Sequence, residues 1–145
     1  MSEFPNYKYG IGLRNVGSYQ AAGHPYVTGS TLATNEEKKI SFPFVTKSIT
    51  VIASGSTSDP LIGITFNSTG SLAGGGGSAT AGDNTKAGKH FITMDSNGDS
   101  MTFDVKCKEM YIHGLNATSG YEIYASLTNI DIERMYDVTG SGLTD

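Results

Sequence analysis

The chain has no tryptophan, one cysteine and four prolines in 145 residues, and only 17% of it is charged. Each scarcity excludes something. A lone cysteine, Cys107, forbids an internal disulfide, so stability must come from packing or from partners. Few charges beside many Gly, Ser and Thr argue against a helical domain, which draws on Ala, Glu, Lys, Leu and Arg. The charge that exists is acidic, −4 net, and the basic residues are scattered. That is a poor counterpart to a phosphate backbone, so no nucleic-acid partner is expected. No stretch approaches the ~20 apolar residues of a membrane helix, so no membrane partner is expected either. The first ten residues, MSEFPNYKYG, hold no apolar run of the secretory kind, and synthesis in a cytosol is the expectation.

What is present suits strands. Val, Ile, Thr, Tyr and Phe fill the apolar and half-apolar positions. The length fits one domain with a real core. Residues 1–35 read as an extended N-terminal arm in which aromatics and glycines alternate without a helical period. Its candidate partner-contact residues are Phe4, Tyr7, Tyr9, Arg14, Tyr19 and Tyr26. So many aromatics are costly in water unless covered. The arm either lies over its own domain or docks on a neighbouring subunit.

From residue 36 to 138 the pattern is that of a sandwich. Ile49, Val51 and Ala53 alternate with Ser48, Thr50 and Ile52, a period of two. Ile62, Ile64 and Phe66, then Met101, Phe103 and Val105, then Tyr121, Ile123, Ala125 and Leu127 repeat it. Shorter runs cover Ile40–Phe42, Phe91–Met94 and Met110–Ile112. About seven strands follow the arm at roughly the 8–12-residue spacing of a sandwich or barrel. The fold class expected is all-β, an antiparallel β-sandwich of jelly-roll type. Asn97-Gly98, between two strand patterns, signals a hairpin. Residues 69–88, rich in Gly, Ser, Ala and Thr, form too long a loop for a compact domain unless it is functional or mobile. Residues 128–136 fit a short helical turn or a last strand, and residues 139–145 are a polar tail.

The chemistry-bearing motifs fail at named positions. Gly88-Lys89 suggests a phosphate loop, but Asp83 stands where its first Gly belongs and His90 where Ser or Thr must hold magnesium. Gly10-Ile11-Gly12 opens a dinucleotide fingerprint that Asn15 breaks. Asp95–Asp99 resembles the start of a calcium loop, but Lys106 stands where a bidentate Glu is needed. His24, His90 and His113 share no metal-ligand spacing and read as structural or surface histidines. Cys107 shares a strand face with Phe103 and Val105 and reads as a buried, inert thiol. No nucleophile elbow or acid/base carboxylate pair stands out. No cofactor, no metal and no catalysis are expected.

The stretches Gly12-Leu13-Arg14-Asn15-Val16-Gly17-Ser18-Tyr19-Gln20 and Gly23-His24-Pro25-Tyr26-Val27-Thr28-Gly29-Ser30 resemble the N-terminal signature of small structural proteins of tailed bacteriophages, especially marine and cyanobacterial ones. Phe42–Lys47, Val105–Ile112 and Leu127–Ile130 agree. The resemblance implies a virion component, a decoration (cement) protein on the outer capsid surface. Its partner would be the major capsid protein and its oligomer a trimer. An extended arm gives such a protein contact area, and many copies add by multivalency. The alternative is a carbohydrate- or receptor-recognition module of a fibre or tail, with Tyr111, Tyr121 and Tyr124 as candidate sugar-stacking residues.

Overall fold

The computed structural model describes residues 11–20, 22–56, 61–66, 72–73, 78–79 and 91–136. Among the described residues a helical turn at Gly17–Gln20 is followed by ten strands: β1 (His24–Leu32), β2 (Glu37–Ser41), β3 (Phe44–Ser54), β4 (Ile62–Thr65), β5 (Leu72–Ala73), β6 (Ser78–Ala79), β7 (Ile92–Met94), β8 (Ser100–Phe103), β9 (Glu109–Gly114) and β10 (Ser119–Asp131). A 3-10 turn, Ile132–Arg134, closes the described chain. The end of the chain thus combines both expected forms, a long last strand and then a single helical turn.

Two antiparallel four-stranded sheets form the domain, in the orders β1-β10-β3-β8 (sheet A) and β2-β9-β4-β7 (sheet B), beside the small β5-β6 pair. The domain is an all-β sandwich. The pairs β4/β7, β3/β8, β2/β9 and β1/β10 are nested one inside the next. Successive pairs of this nest fall in alternate sheets.

Alternation decides which face is core. On sheet A the inward rows run Tyr26, Ala125, Ile49, Phe103 and Thr28, Ile123, Val51, Met101. Sheet B answers with Ile40, Ile62, Ile64, Met94, Met110 and Ile112, and these side chains form one buried cluster with Ile49, Val51, Ala53, Ile123, Ala125 and Leu127. Pleating sends successive side chains to opposite faces, so the period-two apolar pattern is itself the inward face.

Two expectations are corrected. The sandwich does not start at residue 36, because β1 lies inside the expected arm and pairs with β10 over nine residues. Tyr26 packs edge-on against Phe42, with ring centroids 5.4 Å apart. Asn97-Gly98 does make a tight turn, with Gly98 at φ 90°. It joins β7 of sheet B to β8 of sheet A, however, and so makes no hairpin. The amide of Gly98 donates to the Ala53 carbonyl and the Ala53 amide to the Asp99 carbonyl, both at 2.8 Å, which hands the chain across to sheet A. The loop 69–88 lies outside the described residues apart from β5 and β6, and the tail 139–145 lies wholly outside them.

Candidate functional site

The outward side of sheet A is where the described N-terminal residues gather. Ser126 pairs with Ser48, but the next residue, Leu127, pairs with Thr46, so β3 carries one extra residue, Lys47. This is a β-bulge, and it changes which side chains face out. Past it Val45 and Ile130 leave the main core, yet both are fully buried. With Met135 they form a second small cluster, covered by Leu13 and Tyr19. Thr128 Oγ1 donates to the Val45 carbonyl at 2.7 Å and fixes the bulge.

Residues 11–20 fold tightly enough to act as that cover. The Gly12 amide donates to Ser18 Oγ at 3.1 Å, and the Gly17 amide to Asn15 Oδ1 at 2.9 Å. An Asn side chain that accepts from the amide two residues on is an Asx turn, which starts the helical turn. The Tyr19 hydroxyl donates to the Leu13 carbonyl at 2.7 Å, and Arg134 donates to the Ile11 carbonyl at 2.9 Å. Burial, and then the nearby Tyr136, push the Tyr19 hydroxyl pKa up. Ile11, Arg14, Val16 (66% exposed) and Tyr136 stay open to solvent around this cover.

Beside the cover lies an open cleft of about 470 Å³, lined by Tyr19, Lys47, Asp104, Val105 and Lys106. Further along the same face runs the row Val27, Tyr124, Thr50, Thr102. Val27 is 74% and Tyr124 49% exposed. The two threonine hydroxyls are 2.9 Å apart and bond to each other. Glu122, on the next row, is exposed on this face.

Among the expected contact residues, Phe4, Tyr7 and Tyr9 lie outside the described residues. Arg14 is exposed, whereas Tyr19 and Tyr26 are half-buried within their own domain. Of the three candidate sugar-stacking rings only Tyr124 is exposed. Tyr111 and Tyr121 are buried, and the Tyr111 hydroxyl bonds Glu109 at 3.1 Å. The Asp99 carboxylate accepts from the amides of Asp95 and Ser96 at 3.2 and 2.9 Å. His24 bonds Asn129 at 2.8 Å and stacks on Phe44. Cys107 is buried, and burial pushes its thiol up to about 11. Its sulfur sits 3.4 Å from Thr46 Oγ1.

One constellation has no local sequence signal. His113 Nδ1 lies 3.6 Å from Glu37 Oε2, and its Nε2 lies 3.1 Å from Thr65 Oγ1. Carboxylate, imidazole and hydroxyl stand in the order of an acid–base relay. His113 and Thr65 are each 1% exposed and the Glu37 side chain 14%, so the imidazole and hydroxyl are shut off from solvent, and the two contacts tie β2, β9 and β4 together. Burial pulls the His113 pKa down and Glu37 pulls it back up.

No family model, no curated protein and no solved structure matches the chain. The functional reading therefore stands on these residues and on the resemblance of the N-terminal segments.

Proposed function

We propose that the chain is a virion structural protein, a decoration protein that binds the outer surface of a tailed-phage capsid through the major capsid protein and stabilises the shell. One observation carries the reading. The two segments that resemble the phage signature, Gly12–Gln20 and Gly23–Ser30, both meet sheet A: Leu13 and Tyr19 of the first pack over Val45 and Ile130, and the second contains most of the edge strand β1. In and beside the first, Ile11, Arg14, Val16 and Tyr136 are exposed, and Arg134 and Tyr136 neighbour the segment at the Ile11 carbonyl and at Tyr19. An exposed mix of aliphatic, aromatic and arginine side chains is the composition of an interface core. Phe4, Tyr7 and Tyr9, which lie outside the described residues, precede Ile11 in the chain. Tyr19 and Tyr26 act indirectly, by holding the contact residues on the domain.

Purified chain mixed with preformed expanded shells should sediment with them to saturation and raise the shell melting temperature. Val16→Asp and Arg14→Glu should weaken binding while the far-ultraviolet circular dichroism stays unchanged, since both side chains are exposed. Failure of the unmodified chain to bind any shell overturns the proposal.

A further inference from the structure

We propose that the outer edge of β1 pairs with the same edge of a second copy of this chain, antiparallel about a two-fold axis. The inference uses the chain's own backbone, so it stands or falls independently of shell binding.

β1 is the terminal strand of sheet A. It is nine residues long, carries no charged side chain, and keeps an unbroken register against β10. Natural edge strands are usually blunted by shortness, charge, proline or a bulge. β1 has only one of these, Pro25, next to its first residue.

The groups that face outward can be named. The Ser30 carbonyl lies 3.1 Å from where a Cβ on Gly120 would stand, so it faces β10. Antiparallel strands alternate, so Tyr26, Thr28 and Ser30 turn their backbone to β10, and Pro25, Val27, Gly29 and Thr31 turn theirs outward. The Thr31 carbonyl confirms the alternation: it accepts from Lys38 Nζ at 3.1 Å, outside the ladder. Two irregularities therefore mark the edge. Pro25 has no N–H to give, and the Thr31 carbonyl is already occupied.

One self-pairing register cancels both. When Val27 faces the partner's Gly29, Pro25 faces the partner's Thr31. The missing donor then stands opposite the occupied acceptor. Val27 and Gly29 exchange both of their bonds, and the Thr31 amide donates to the Pro25 carbonyl, about six bonds across the two-fold. A register that centres on Val27 leaves a Gly29 carbonyl facing Pro25. One that centres on Gly29 sets the Val27 amide against the carbonyl Lys38 already holds. The favoured register also places exposed Val27 beside a residue without a side chain, so the valine meets no steric block.

Charge agrees. The strands bring no charged side chains face to face. Lys38, a cation beside the edge, is held by Ser30 Oγ at 2.6 Å and lies 3.9 Å from Glu36. An edge-only contact is smaller than the ~1,600 Å² of a standard interface, so the pair is a concentration-dependent dimer. Such an isologous contact closes at two copies, unlike the trimer expected from the sequence.

Sedimentation velocity over a dilution series, combined with amide hydrogen exchange, tests this. The expected result is a monomer–dimer equilibrium. The amides of Val27, Gly29 and Thr31 should gain protection as concentration rises, while those of Thr28 and Ser30 are protected throughout. Val27→Pro removes one outward N–H per copy without touching the β10 ladder, and should abolish the dimer. Val27→Lys keeps the N–H but charges the edge, and should weaken the dimer by about tenfold or more. If Val27→Pro fails to fold, Val27→Lys and the exchange pattern of the unmodified chain decide. A monomer at every concentration, a trimer, or a dimer indifferent to Val27→Lys overturns the proposal.

Discussion

Shrinking Leu13 and Ile130, separately and together, measures whether residues 11–20 are docked on the chain that carries them. Ile130 is fully buried beneath the cover that Leu13 helps to form. Ile130→Val removes one methylene group, worth about 0.5–1.5 kcal/mol. Leu13→Ala removes three carbons from a half-buried side chain. A fully buried leucine costs about 2–5 kcal/mol on truncation, so roughly 1–2 kcal/mol is expected here. Both changes open space in one small cluster, and residues that share a void couple by about 0.5 kcal/mol or more. The assay is urea unfolding of the four variants. With a slope near 2 kcal/mol per molar, 1.5 kcal/mol moves the midpoint by about 0.75 M. The same cycle at two protein concentrations separates docking on the same chain from exchange between chains, because only exchange makes the coupling concentration-dependent. A neutral Leu13→Ala with no coupling would refute the docked cover, and with it the surface on which shell binding is proposed.

The remaining predictions concern buried titratable groups. Burial holds His113 neutral below its ordinary pKa, so on acidification the unfolded chain takes up the proton first. Stability should therefore fall as pH drops below about 6.5 and level off once the folded form is protonated as well. His113→Gln should flatten that part of the profile in urea titrations run pH by pH; an unchanged slope would assign the acid sensitivity elsewhere. Cys107, pushed up to about 11, should resist a disulfide reagent at pH 8 in the native protein and react at once in urea. Rapid native labelling would mean that the strand around Thr46 opens readily.

How much of this could be read in advance depended on how local each signal is. Strands with one wet and one dry face announced themselves, as at Ile49, Val51 and Ala53 and from Tyr121 to Leu127, because water on one side imposes the period of two. β4 showed its apolar run even though Gly63 and Thr65 are buried too. β1 was hidden for a physical reason. It is an edge strand with mostly exposed residues, its Pro and Gly punctuate like a loop, and its partner lies about a hundred residues away. Asn97-Gly98 was legible as a turn, since the positive φ is a local requirement. Which sheet each flanking strand joins is a long-range matter that no dipeptide encodes. The Glu37, Thr65 and His113 contact comes from three strands, and neither its spacing nor its composition marks it in the chain. Val45 turns out of the main core at the extra residue Lys47, and Ile130 lies in a second register shift between Leu127 and Asp131; no alternation pattern shows either.

Where the chain sits in an intact particle, and in how many copies, tests the account most directly. Quantitative mass spectrometry of purified virions, set beside a reconstruction of the particle, reports both. The account predicts copies in proportion to the major capsid protein, with Ile11, Arg14, Val16 and Tyr136 against the outer shell. A dozen copies or fewer, confined to the tail or a fibre, or none at all, would contradict it.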